Sequence, residues 1–332
     1  MKKINVAQIG VGYWGPNLLR NLWLSNSCDV KRVVEISRER QMFVEKNYPG
    51  IEITDDINHV LNDTTIDAVV VATPVKSHFG ITLAVLEAGK HILVEKPLAT
   101  SVKEVNEIRK ISETKDLIVM VGHTFLYNSA VRYIKELLEK DSIGEIRYIY
   151  CQRLNLGRIR SDVDVIWNLA PHDISIIQYW LEGANPESIS CAAMDYVQDG
   201  INDVAFLNIK YPGNIIANIH VSWLEPHKTR RITIVGTKKM IVYDDVSDNK
   251  VTIFDKGIDK VAVLGEAMDF DKSEKMQYTY PSGDIHVPIF KWTEPLKVQI
   301  EHFFSVIAGR EKCLTDLDHA ESVINVLEGC RV

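Results

Sequence analysis

Lys96 stands in the tripeptide Glu95-Lys96-Pro97, directly after the apolar run "HILV". An ammonium at the end of a buried strand can polarise a substrate oxygen, and partial burial would lower its pKa. Further along, "NLAPHDISI" carries His172 four residues after Asn168. Imidazole is the side chain suited to moving a proton near pH 7. A secondary alcohol that loses a hydride leaves a proton behind, so a histidine base beside a lysine that stabilises the alkoxide fits that reaction class.

Such a reaction needs a hydride acceptor, and "NVAQIGVGYWGPNLLRN" (residues 5–21) offers a place for one. A short apolar run breaks into glycines spaced G-x-G-x-x-G and then enters a helical pattern through Leu18, Leu19 and Leu22. In that context the spacing points to a dinucleotide. Gly10 allows the tight turn, Gly12 lets the backbone approach a pyrophosphate, and Gly15 lets helix and strand pack closely. The free N–H groups of the helix N-terminus would meet the phosphates, with Tyr13 and Trp14 in the same turn. Glu35 follows Gly15 by 20 residues. An acidic side chain there bonds the ribose hydroxyls and repels a 2′-phosphate, which favours NAD over NADP. Arg38 is the counter-argument. "ATPVKSH" adds Thr73, Pro74 and His78 at the sheet edge where such folds bind ligands, and Glu95 and Lys96 belong to the same edge.

The elements that must position these residues are legible in outline. Strands are expected at 6–9, 31–36, 68–72, 91–94 and 117–122, alternating with helices at 38–47, 77–88 and 102–114. That alternation predicts a doubly wound parallel sheet over residues 1–122. After residue 123 the pattern changes. A helix at 130–139, a long strand at 146–154 and a helix at 173–181, with Asp173 as its cap, precede successive strands from 188 to about 254. "YPGN" (211–214) is a strong turn signal between two of them. Residues 123–332 are therefore expected to form a mainly antiparallel sheet, one face covered by helices, the other by another subunit or a ligand. Residues 256–283 read as loop, and 296–308 and 320–329 as helices.

Composition sets further bounds. A net charge of −7 over 332 residues argues against a nucleic-acid-binding surface. The longest apolar runs fall far short of the ~20 residues a membrane span needs. Five scattered cysteines, with no C-x-x-C, fit a reducing cytoplasm and no structural metal site.

Taken in order, "IGVGYWGPNLLRN", Glu35, "ATPVKSH", "VEKPLA", "GHTFLYNSAV" and "LAPHDISI" resemble the Gfo/Idh/MocA oxidoreductases. The resemblance implies a Rossmann domain followed by an open sheet that often mediates oligomerisation, here a homodimer or homotetramer. It also implies NAD(P)-dependent chemistry on sugars and cyclitols. Lys96 matches the family's active-site lysine and His172 the histidine of its D-x-x-x-H motif, usually the general acid/base. The aspartate of that motif falls on Asn168, a departure, since an amide cannot relay a proton. Within the family, "GYWGPNLLRN" and "RLNLGRIRSDVDVIWNLAPHDISI" look most like the branch acting on nucleotide-linked sugars, including dehydrogenases that oxidise C3 of UDP-N-acetylglucosamine or its uronic acid. Arg153, Asn155, Arg158 and Arg160, with "HKTRR" at 227–231, form two cationic clusters suited to an anionic substrate. Tyr127 is the further substrate-contacting candidate and the next proton-transfer group. The competing readings are an NADPH-dependent keto-sugar reductase of deoxysugar biosynthesis and a non-catalytic NAD(H)/sugar sensor. Oligomerisation is expected through exposed sheet residues such as Ile216, Ile219 and Val221.

Overall fold

The computed structural model describes residues 3–157, 159–262, 276–279 and 282–330. The chain divides into two compact units, the first made of residues 1–128, 174–179 and 292–328 and the second of 129–173, 180–291 and 329–332.

In the first unit, β1 (Ile4–Ile9), β2 (Cys28–Val34), β3 (Glu52–Thr54), β4 (Ala68–Val71), β5 (His91–Val94) and β6 (Val119–Val121) form one parallel sheet in the order β3-β2-β1-β4-β5-β6. The order reverses beside β1, the topological switch point at which such sheets bind ligands. The helices α1 (Gly15–Leu24), α2 (Arg38–Asn47), α3 (Asn58–Leu61), α4 (His78–Glu87) and α5 (Val102–Lys115) connect the strands. β4 is buried throughout, as a strand covered on both faces must be. Gly89, with φ +74°, closes the end of α4 and donates to Leu86 O at 2.9 Å.

The second unit holds α6 (Ser129–Glu139), most of α7 (Val165–Trp180) and an eight-stranded sheet. Its strands are β7 (Ile146–Leu156), β8 (Ser188–Met194), β9 (Val204–Tyr211), β10 (Ile215–Ser222), β11 (Leu224–Gly236), β12 (Met240–Asp244), β13 (Val251–Lys256) and, after a separate hairpin of β14 (Asp259–Ala262) and β15 (Met276–Thr279), β16 (Ser282–His286). The order is β16-β13-β12-β11-β7-β10-β9-β8; only β7 and β10 pair in parallel. Strand alternation is clean on β9, where Ala205, Leu207, Ile209 and Tyr211 are buried while Phe206, Asn208 and Lys210 are exposed.

Three expectations change. α7 begins at Val165 rather than at 173, and runs through Pro171. Asp164 caps it, accepting from the Trp167 amide at 2.9 Å, so Asp173 is an interior residue and no cap. Ile219 and Val221 are fully buried; of the three residues expected on the open sheet face, Ile216 is exposed. The span read as loop at 256–283 contains strands in its described parts, while 263–275 and 280–281 lie outside the described residues.

The chain also returns to its first unit instead of dividing once near residue 122. The helices α8 (Pro295–Ile307) and α9 (Leu317–Gly329) close the chain. Leu317, Ala320 and Ile324 of α9 share one core cluster with Val69, Val71, Ile92 and Val94 of the parallel sheet. Arg109 of α5 reaches Asp318 and Glu321, each at 2.6 Å. Burying such aliphatic side chains is worth ~1.5–3 kcal/mol each, which anchors α9 to that sheet. No described helix is long and apolar enough to cross a membrane.

Candidate active site

The glycine turn after β1 has the geometry its spacing requires. Gly10 adopts φ +90°, and a Cβ there would fall 2.7 Å from Ala72 O. A Cβ on Gly15 would fall 2.5 Å from Gly10 O, so the helix packs on the turn at a distance only glycine permits. At Gly12 a Cβ would meet nothing within 4 Å, leaving open space above the backbone. Gln8, buried, donates to the carbonyls of both Gly10 and Gly15 at 2.9 Å and staples the turn. Glu35 is buried, with Oε2 accepting from the Val11 amide at 2.7 Å and Oε1 from the Ser37 amide at 2.8 Å. Arg38 is exposed and bonded to Gln41 and Glu45. No side chain caps the first turn of α1, and Tyr13 and Trp14 are exposed beside it. The open approach at Gly12, the uncapped helix start and the fixed carboxylate fit a dinucleotide: they would hold its pyrophosphate and adenosine ribose.

The second cluster lies at the carboxyl ends of β4, β5 and β6. His78 is buried, with Nε2 2.8 Å from Thr73 O and Nδ1 2.8 Å from Pro97 O. The ring thus lies between the Thr73-Pro74 turn and the Glu95-Lys96-Pro97 turn, and in its neutral form its single N–H donates to one of the two carbonyls. Burial, with the Lys96 charge, keeps its pKa below the ordinary histidine value despite the two carbonyls. The Glu95 carboxyl is buried, and its Oε1 has no hydrogen-bond partner. Desolvation pushes its pKa up to about 7, against the opposing pull of Lys96. A Cβ on Gly122 would lie 2.9 Å from that Oε1, so this glycine makes room for the carboxyl. Lys96, half-buried, is therefore surrounded by side chains that sense its charge: Glu95, His78 and His123. Tyr127, of the same unit, is buried with its hydroxyl 3.2 Å from Thr315 Oγ1.

In the second unit, Asn168 and His172 sit one turn apart on α7, both half-buried. Four-residue spacing puts them on one helix face. The indole Nε1 of Trp223 donates to Asn168 Oδ1 at 3.3 Å. Indole N–H only donates, so the amide oxygen faces it and the amide NH2 faces away. Arg153 is buried and makes a two-pronged pair with Asp173, at 3.0 and 2.7 Å. Arg160 pairs with its neighbour Asp162 at 2.8 and 2.6 Å, and Asn155 is half-buried next to Gly157. Arg158 lies outside the described residues. Arg230 of the second cluster also pairs, with Asp245 at 3.3 Å, so three of the arginines expected to meet an anionic substrate have carboxylate partners within the chain.

Sequence reasoning passed over Gln8, Trp223 and His123. Gln8 stood inside an apolar strand, an anomaly that could have marked it; His123 lay within the quoted "GHTFLYNSAV" but was given no role, and Trp223 carried no local signal.

A parallel sheet that binds a dinucleotide at its switch point, followed by a mainly antiparallel sheet, defines a two-domain oxidoreductase. Residues 4–123 match the model for the oxidoreductase family with an NAD-binding Rossmann fold, and residues 131–242 match the model for the GFO/IDH/MocA C-terminal domain. The chain belongs to the Gfo/Idh/MocA family of NAD-binding oxidoreductases. UDP-N-acetylglucosamine 3-dehydrogenase of Acidithiobacillus ferrooxidans is 27% identical over 216 residues, 64% of this chain and 67% of that protein. The NADP(+) scyllo-inositol 2-dehydrogenase IolW of Bacillus subtilis is 25% identical over 167 residues, 50% of this chain and 46% of that protein. Among solved structures, UDP-N-acetylglucosamine 3-dehydrogenase GnnA of Acidithiobacillus ferrooxidans superposes with a TM-score of 0.82 at 21% identity, covering 100% of this chain and 97% of that one.

Proposed function

We propose that this protein is an NAD-dependent dehydrogenase that oxidises a secondary hydroxyl, at C3, of a nucleotide-linked sugar, with the reverse reduction as the same chemistry. The observation that carries the reading is Lys96, held half-buried at the carboxyl end of β5 in the sheet whose Gly12 and Glu35 suit the dinucleotide. The bound nicotinamide supplies the hydride acceptor. Lys96 steadies the developing alkoxide, His172 takes the hydroxyl proton, and Asn168 orients the sugar through its amide NH2. Asn155 and Arg160 remain the proposed contacts for the rest of the substrate, whereas Tyr127, buried with its hydroxyl on Thr315, would have to leave that partner to join them. Arg153 serves instead to hold α7 through Asp173. The nucleotide linkage and the C3 position are supported by the relative that shares 27% identity. Glu35 and the engaged Arg38 support NAD over NADP. All five cysteines are free, which suits a reducing cytoplasm.

The test is NADH formation, followed at 340 nm, with UDP-N-acetylglucosamine and its uronic acid in the presence of NAD or NADP. Turnover of either sugar with NAD is expected. A preference for NADPH-driven reduction of a keto-sugar would favour the reductase, and tight binding without turnover would favour the sensor.

A further inference from the structure

His123 stands two residues past the end of β6, in the strand register that pairs Val94 with Val121. The ladder continues one step, with the Gly122 amide donating to Val94 O at 2.8 Å. Lys96 and His123 therefore leave neighbouring strands at the same height. His123 is only 3% exposed. Its Nδ1 is sealed from solvent and has no hydrogen-bond partner. Nε2 is the ring nitrogen that is not sealed. The ring stands edge-on to His319, with centroids 5.2 Å apart and planes at 80°. His319 is in turn oriented by Ser175, whose hydroxyl lies 2.8 Å from its Nε2. The sealed, unpartnered Nδ1 is costly to keep, because unmade buried hydrogen bonds destabilise the fold, and it leaves Nε2 as the nitrogen that a ligand can reach. Ligand-contacting residues are where such a cost is tolerated.

We propose that His123 binds the molecule seated at the carboxyl end of β5, its neutral imidazole exchanging a hydrogen bond through Nε2 with a group that both donates and accepts. An alcohol hydroxyl of a sugar and the carboxamide of nicotinamide share that chemistry. Burial, His319 and the Lys96 charge all hold the ring uncharged, with its pKa well below the ordinary value. His123 is therefore a positioning contact, distinct from a proton-transfer base. The inference rests on Lys96 marking the reacting centre.

Two variants test it: His123→Phe, which keeps a ring against His319 and removes both nitrogens, and His123→Gln, which keeps a donor and an acceptor. Binding is read by NADH fluorescence, and by UDP-N-acetylglucosamine titration at saturating NADH, with thermal unfolding as the folding control. His123→Phe is expected to weaken one of the two ligands by about 10-fold, with His123→Gln recovering part of it and neither changing the pH profile. Weakened NADH identifies the carboxamide as the partner; weakened sugar nucleotide identifies a hydroxyl. Unchanged affinity for both ligands in folded variants overturns the proposal. If the wild-type chain does not bind UDP-N-acetylglucosamine, the substrate reading fails on its own, and the NADH arm alone decides His123. If His123→Phe does not fold, 15N-histidine spectra of the wild-type chain, with His123→Gln identifying the resonance, carry the test. Addition of NADH, and then of UDP-N-acetylglucosamine, should move the His123 Nε2 signal at one of the two steps, and a signal unmoved by both overturns the proposal.

Discussion

The carboxylate of Glu35 accepts a hydrogen bond from the amide of Val11, 2.7 Å away, tying the end of β2 to the middle of the glycine turn. One side chain thus shapes the turn, and in the proposed reading it would also meet the adenosine ribose. Glu35→Ala should weaken NADH binding and shift preference towards NADPH, because the ribose partner and the repulsion of a 2′-phosphate go together. It should also lower stability by about 1–3 kcal/mol, since the buried Val11 amide loses its acceptor. Fluorescence titration with both cofactors and urea unfolding check the two effects; an unmoved preference would shift the determinant to another residue.

Gly12→Val separates folding from binding. A Cβ at Gly12 meets nothing in the protein, so the variant should unfold at the wild-type temperature. Its branched side chain would occupy the space of the pyrophosphate, and NADH affinity should fall by ~100-fold or more, about 2.7 kcal/mol. A folded variant with wild-type affinity would make the glycines a turn and nothing more.

Arg153 and Asp173 form a pair with almost no solvent access. Arg153→Met should cost about 3–5 kcal/mol, because it strands a buried carboxylate. The double variant Arg153→Met/Asp173→Leu should recover most of that loss in urea unfolding. Additive losses would show that the two side chains act independently.

This pair also shows where the sequence stopped being legible. The glycine spacing, the apolar strands and the Glu-Lys-Pro turn are local patterns, and they marked the carboxyl ends of β1, β4 and β5 to within a residue. Arg153 and Asp173 are 20 residues apart, and nothing local tells a paired arginine from one awaiting an anion. Pro171 hid the true start of α7, because proline inside a helix is rare and reads as a boundary. In "IIANIHVS" residues 215, 217, 219 and 221 are apolar while 218, 220 and 222 are polar, so the alternation already turns Ile219 and Val221 inward and Ile216 outward; placing all three on one open face overlooked that parity. The return of α9 to the first sheet is a long-range packing event with no motif of its own.

The open face of the eight-stranded sheet exposes Tyr148 and Ile216, directly paired across β7 and β10, and Phe206, stacked on His220 at 4.2 Å. Exposed apolar surface costs ~25 cal/mol per Å2, so a second copy of the chain is the expected cover. Light scattering at micromolar concentration should give at least a dimer, and Phe206→Asp/Ile216→Asp should give a monomer. A monomeric wild-type mass would contradict the proposal.

The proposed roles of Lys96 and His172 are tested by Lys96→Met, His172→Ala and their combination. Each single change should lower turnover by ~100-fold or more while NADH still binds, because each removes a group acting on the reacting hydroxyl. The double variant should lose less than the product of the two, since both side chains serve one proton-transfer event. Multiplicative losses would mean that they act on separate steps. Asn168→Asp refines the same test. The new carboxylate can still accept from Trp223, but the amide donor is gone, so the expected effect is a raised KM for the sugar with NADH affinity unchanged. Near-normal turnover in His172→Ala would remove the histidine from the mechanism. Tyr127 would then be the next residue to test, although its hydroxyl is buried against Thr315 and would have to leave that partner to reach a substrate.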